Sequence, residues 1–100
     1  MANTKLLLVE DDENLAYMEK SCFEDIIGGY EVKTAVNGKE GLKVWQDFQP
    51  DVIVSDIDMP IMDGIEMVKK IREVDGKTII LFTTGLTSRK DLKAGYAAGA

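Results

Sequence analysis

Two short apolar runs each end in acid. Val52-Ile53-Val54-Ser55 delivers Asp56 to a loop that also holds Asp58 and Asp63, and Lys5-Leu6-Leu7-Leu8-Val9 delivers Glu10, Asp11 and Asp12. Carboxylates crowded at one place repel one another unless a cation or a proton intervenes. The chain has no histidine and a single cysteine, Cys22, which excludes His-ligated zinc, Ser-His-Asp triads and a phosphohistidine on this chain. Chemistry here must use carboxylates, hydroxyls, lysines or backbone. Hard oxygen donors suit Mg²⁺, which takes carboxylates and keeps waters for phosphate oxygens. Ca²⁺ is less favoured: the Asp56-x-Asp58 spacing hints at an EF-hand loop, but Pro60 and Ile61 occupy its fifth and sixth positions, where that loop needs an acid or amide and a glycine. With Mg²⁺ screening the acids, a phosphoryl group could approach, and Asp56 could attack it to form an acyl phosphate. Thr84, at the end of another apolar run, could hydrogen-bond a phosphoryl oxygen in the modified state only, which is what a switch requires.

The remaining acids have simpler readings. Asp12 reads as a helix N-terminal charge and Asp63 as a helix cap. The side chain of Asp58 reads as a solvated loop acid. Thr83 and Thr84 also suit an ordinary strand, and the five methionines read as packing residues.

Positioning these groups falls to alternating elements. Residues 5–9 suit a strand buried on both faces. From 13 to 27, Leu15, Met18, Cys22, Phe23 and Ile26 recur at helical spacing as an inner stripe, with Cys22 a core residue, and Gly28-Gly29 ends the helix. Residues 31–35 form a second strand. Asn37 then caps a helix with Leu42, Trp45 and Phe48 inward, closed by Pro50. Residues 52–55 form the third strand, and Asp63 opens a helix whose buried stripe, Ile65, Val68 and Ile71, runs to about Val74. Asp75-Gly76 is a turn, residues 78–83 a fourth strand, and Ser88 starts a fourth helix with Leu92 and Tyr96 inward. Four βα units in succession predict an α/β fold with a doubly wound parallel sheet. Ligands bind such sheets outside the carboxyl ends of the strands. Glu10-Asp11, Asp56 and Thr83-Thr84 should therefore meet there.

One hundred residues, 45% of them hydrophobic, predict one domain over 1–100, burying roughly 65% of the surface of its unfolded chain. A net charge of −6 argues against direct nucleic-acid binding, which needs basic surface. No apolar run reaches the ~20 residues of a membrane span, and the N-terminus has no signal-peptide pattern, so the expected location is cytoplasmic.

Residues 6–12, Leu-Leu-Leu-Val-Glu10-Asp11-Asp12, resemble the first strand and acid pair of the response-regulator receiver domain, the phospho-acceptor module of two-component signalling. Asp56-Ile57-Asp58-Met59-Pro60-Ile61-Met62-Asp63-Gly64 resembles its phosphorylation loop, and Thr84-Gly85 its strand-four hydroxyl site. The resemblance implies that Glu10, Asp11 and Asp56 hold Mg²⁺ with the backbone carbonyl of Asp58. It implies that Asp56 accepts the phosphoryl group from a phosphohistidine on a sensor histidine kinase or histidine phosphotransfer protein. Thr84 is the hydroxyl position counting back from Gly99-Ala100; counting forward along the strand allows Thr83. The implied architecture is a flavodoxin-like receiver fold, strand order 2-1-3-4-5, that acts on itself and is not otherwise an enzyme.

The family also expects a fifth strand ending in Lys-Pro and a fifth helix, and neither follows Gly99-Ala100 here. Lys90 and Lys93 belong to the fourth helix and do not match the missing lysine. The expectation is an incomplete receiver with strand four at the sheet edge and one sheet face short of cover, or a homodimer or swapped dimer that supplies that cover. Two other functions fit parts of the pattern. Asp56-x-Asp58 after a strand resembles the nucleophile motif of haloacid-dehalogenase-type phosphatases, against which stand Pro60 and the absence of a later acidic pair. A receiver-like interaction module without phosphorylation would suit the missing lysine but leave Glu10, Asp11, Asp56 and Thr84 without a purpose.

Overall fold

The structure, a computed structural model, describes residues 3–83. The fourth helix, Thr84, Lys90 and Lys93 lie outside the described residues. Within them the chain runs β1 (Thr4–Val9), α1 (Glu13–Ser21) continued by a π-helical turn (Cys22–Ile27), β2 (Tyr30–Ala35), α2 (Gly38–Phe48), β3 (Val52–Asp56), α3 (Gly64–Arg72) and β4 (Ile79–Thr83). All pairings are parallel, in the order β2-β1-β3-β4. The sheet therefore reverses its winding between β1 and β3, where Leu6 stands opposite Val52 and Val9 opposite Ser55.

Alternation along the strands splits the core in two. Leu7, Val9, Ile53 and Ile80 face α2 and α3 and pack with Met67, Val68 and Ile71. Leu6 and Leu8 face the other way, with Val32 and Ala16 of α1. A sheet covered by helices on both faces explains why β1 reads as an unbroken apolar run. On the α1 face, Ile79 and Leu81 of β4, the outer strand among the described residues, are exposed.

The helix starts match their sequence signals. Asp12 Oδ1 accepts from the Asn14 and Leu15 amides at 3.0 and 3.2 Å, Asn37 Oδ1 from Glu40 N at 2.9 Å, and Asp63 Oδ1 from Glu66 N at 2.8 Å. Each satisfies amides that a helix N-terminus leaves without a partner.

The inner face of α1 differs from the expected stripe. Leu15, Met18 and Ile26 are exposed and Cys22 is only half-buried; the helix instead meets the sheet through Ala16, with Phe23 packed beside it. At about 100° per residue, the stripe through Leu15, Cys22 and Ile26 is turned by roughly 100° from the Ala16 contact. A small residue lets the helix lie close to Leu6 and Leu8, and closeness outweighed bulk in choosing the face. The helix of the third βα unit also stops short of the expected end, leaving Val74 exposed in the turn beyond Arg72. That turn is built on Asp75, whose carboxylate accepts from the amides of Lys77 and Thr78, the Thr78 hydroxyl and the Trp45 indole N–H.

Candidate metal and phosphoryl site

The carboxyl ends of β1 and β3 bring three acids together. Glu10 follows β1 directly, is anchored by its amide to the Ala35 carbonyl at 2.9 Å, and is 5% exposed. Asp11 is exposed, and Asp56 is the half-buried last residue of β3. One carboxylate oxygen from each of Glu10, Asp11 and Asp56 lies within 4.8 Å of the others. An all-carboxylate donor set at this spacing fits a hard divalent cation such as Mg²⁺.

The electrostatics favour a cation as well. Burial, reinforced by the charges of Asp56, Asp11 and Glu19, pushes the Glu10 carboxyl up to about 7, although its Oε1 accepts from the Asp12 amide at 3.2 Å. Burial also raises the Asp56 carboxyl; hydrogen bonding from the Ile57 amide, 2.7 Å from Oδ1, opposes this, and the charge of Asp11 adds to it. Negative charge held partly out of water, with no cation beside it among the described residues, is relieved by a bound metal ion.

Backbone packing fixes where Asp56 points. Ser55 is fully buried, and its hydroxyl donates to the Asp56 carbonyl at 2.7 Å. The Gly64 amide reaches back to the Ile57 carbonyl at 2.9 Å, closing the loop after β3. On the far side of that loop the Gly38 amide donates to the Met62 carbonyl at 2.8 Å, and a β-carbon at Gly38 would lie 2.7 Å from the same oxygen. The acid loop is thus clamped between its own strand and the start of α2.

The structure brings Glu10, Asp11 and Asp56 together, as the topology of a doubly wound sheet predicts. Asp58 lies in the same loop, exposed, with its amide contributing to the hydrogen bonding of the Asp56 carboxylate. Thr83 stands directly opposite Asp56 across β3 and β4, and its hydroxyl points to the Ser55 carbonyl at 3.4 Å. Asp12 and Asp63 are caps.

One acid was missed in the sequence. Glu19 sits half-buried on the Ala16–Phe23 side of α1, and its carboxyl is raised by burial and then by the charge of Asp56. Its i+3 spacing from Ala16 is the available signal, hidden because the bulkier stripe through Leu15, Cys22 and Ile26 does not face the sheet. Beside Glu10, a groove of about 330 Å³ opens between Ala16, Tyr17 and Lys20 of α1 and the end of β2.

The doubly wound parallel sheet carries its acid cluster at the winding reversal, the place where such α/β sheets bind ligands, and residues 6–100 match the response regulator receiver domain. The chain belongs to that family, the receiver domain of two-component response regulators. It is 35% identical over 101 residues to the transcriptional regulatory protein PrrA of Mycobacterium leprae, spanning 100% of this chain and 42% of that protein. It is 32% identical to the chemotaxis protein CheY of Halobacterium salinarum, spanning 96% of this chain and 78% of that one. Among solved structures, chemotaxis protein CheY4 of Vibrio cholerae superposes with a TM-score of 0.88 at 40% identity, covering 99% of this chain and 82% of that one. A CheY-like receiver of Methanospirillum hungatei superposes with a TM-score of 0.90 at 27% identity, covering 99% and 78%. The chain spans less than half the length of PrrA. No described helix is long and apolar enough to cross a membrane.

Proposed function

We propose that this domain is a phospho-acceptor switch in which Asp56 takes a phosphoryl group from the phosphohistidine of a sensor kinase or histidine phosphotransfer protein. The observation that carries this reading is the convergence of Glu10, Asp11 and Asp56 at the end of β1 and β3. A carboxylate oxygen of Asp56 attacks phosphorus as the nitrogen–phosphorus bond of the donor breaks, and the donor imidazole keeps the electron pair. The product is an acyl phosphate on Asp56.

The carboxylates of Glu10, Asp11 and Asp56 and the Asp58 carbonyl would hold Mg²⁺. When bound, the ion neutralises charge on the phosphoryl oxygens. The chain's own residues do the positioning. The Ile57 amide holds the Asp56 carboxylate in one orientation, the Ser55 hydroxyl steadies the backbone behind it, and Thr84 receives a phosphoryl oxygen. The domain catalyses only its own phosphorylation and dephosphorylation, in the cytoplasm.

Incubation with phosphoramidate and Mg²⁺ is expected to add one phosphoryl group, read by intact mass, in the parent chain and none in Asp56→Asn. Equal incorporation in the two would remove Asp56 from the role. Failure of the parent to bind Mg²⁺ and beryllofluoride together would favour an interaction module instead.

A further inference from the structure

Ile61 is held in a backbone conformation that its side chain resists. Its φ is 70°, and the Met62 amide donates to the Pro60 carbonyl at 2.7 Å. An i to i+2 bond around a positive central φ is the rare, strained form of γ-turn. A β-branched residue is a poor occupant of that region, where glycine or asparagine sits at less cost.

The surroundings enforce the turn. Met59 and Met62 on either side pack against the core beneath α2 and α3. The Met62 carbonyl is tied to Gly38, Asp63 caps α3, and the Gly64 amide closes on Ile57. With its neighbours turned inward, Ile61 points out, 79% exposed, so packing does not offset the strain. Strain and bare apolar surface coincide on one residue of the loop that bears Asp56, and strain maintained by an over-determined frame is a signature of function.

The location selects the partner. A protein that hands a phosphoryl group to Asp56 must bring its phosphohistidine to bonding distance, and so must touch the lip of this loop. Glu10, Asp11, Asp56 and Asp58 make that lip acidic among the described residues, and acidic groups repel the phosphoryl group's own charge. An apolar contact adds affinity there without adding to that repulsion.

We propose that Ile61 is a docking residue for the protein phosphodonor, seated in an apolar recess beside the donor's phosphohistidine; this rests on the phospho-acceptor reading above. The test compares the parent with Ile61→Asn, which suits the positive φ, and Ile61→Leu, which keeps the apolar contact. Each is phosphorylated by phosphoramidate and, separately, by a panel of autophosphorylated sensor-kinase cores. Ile61→Asn is expected to lower the unfolding equilibrium constant at least about fivefold and to keep its phosphoramidate rate within about twofold of the parent's. Transfer from the kinase core that labels the parent fastest should fall at least about tenfold in Ile61→Asn and persist in Ile61→Leu. Unchanged kinase transfer in Ile61→Asn overturns the proposal. So does a parent that phosphoramidate labels and no kinase core does, or a parent dimer in sedimentation that Ile61→Asn dissolves, which would assign the residue to self-association. A parent that phosphoramidate cannot label would instead strike the phospho-acceptor reading itself.

Discussion

Gly64 leaves no room for a side chain against the main-chain carbonyl oxygen of Asp56, so the first residue of α3 is fitted to the last residue of β3. The Phe82 ring and the Ser55 hydroxyl close the same space, each 3.1 Å from where a β-carbon would stand. The glycine is set by this close approach; its φ is not positive.

Gly64→Ala is therefore expected to destabilise the domain by about 2 kcal/mol. Alanine's helix propensity favours it by up to about 1 kcal/mol, but the obstructing atom is backbone and cannot swing aside, so the clash wins. Urea unfolding reads the difference, and a midpoint equal to or above the parent's would contradict the packing argument. Phosphoramidate labelling of Asp56 should slow in the same variant, because the acceptor's backbone must shift.

Asp63 caps α3, its carboxylate accepting from the Glu66 amide. Asp63→Ala should cost about 1 kcal/mol of stability while phosphoramidate labelling of Asp56 continues at close to the parent's rate. A collapse of Mg²⁺ affinity in this variant, measured by calorimetry, would move Asp63 from cap to ligand.

Of the two adjacent threonines, Thr83 ends β4 and Thr84 lies outside the described residues. Thr83 lies opposite Asp56, and its hydroxyl is directed at the Ser55 carbonyl. Thr83→Ala is expected to leave labelling near the parent's level, whereas Thr84→Ala should slow it by about tenfold or more, as removal of a donor to developing charge does. The reverse ranking would transfer the phosphoryl contact to Thr83.

The Asp75 turn sets an acid limb. Hydrogen bonds from the Thr78 hydroxyl and the Lys77 and Thr78 amides hold the Asp75 carboxyl well below its ordinary value of 3.8. A carboxyl depressed in the folded state stabilises it at every pH above its unfolded value, and that contribution is lost as pH falls below about 4. The Asp75→Asn variant should be less stable than the parent at pH 7, by on the order of 1 kcal/mol once solvent screening is allowed for. Its stability should also change less steeply between about pH 4 and 2. Parallel pH curves for parent and variant would refute the assignment.

Much of this arrangement was legible because local and global signals agree. Asp12, Asn37 and Asp63 announce helix starts by residue type alone, and the apolar runs into Glu10 and Asp56 fix which residues stand at strand ends. Their meeting followed from the topology of parallel sheets, with no information about side chains. The inner face of α1 was not legible, because periodicity weighs bulk, and here a small residue, Ala16, makes the contact. Glu19 went unseen for the same reason. Contacts made by absence were also hidden. Nothing in the sequence near Gly38 or Gly64 shows that a carbonyl from elsewhere presses on each of them. The turn at Ile61 was invisible too, since an isoleucine gives no warning of positive φ.

The pairing of β1 with β3 has a consequence in time. Glu10 and Asp56 are held side by side only because Leu6–Val9 lies alongside Val52–Ser55, two segments separated by more than forty residues of intervening chain. Closing so long a loop is entropically costly and belongs to the later events of folding. A nascent or half-folded chain thus presents its acids apart, as scattered surface charges. On the phospho-acceptor reading, the capacity to hold a cation and take a phosphoryl group would arrive together with the completed central sheet, so a domain that responds would be one that has finished folding.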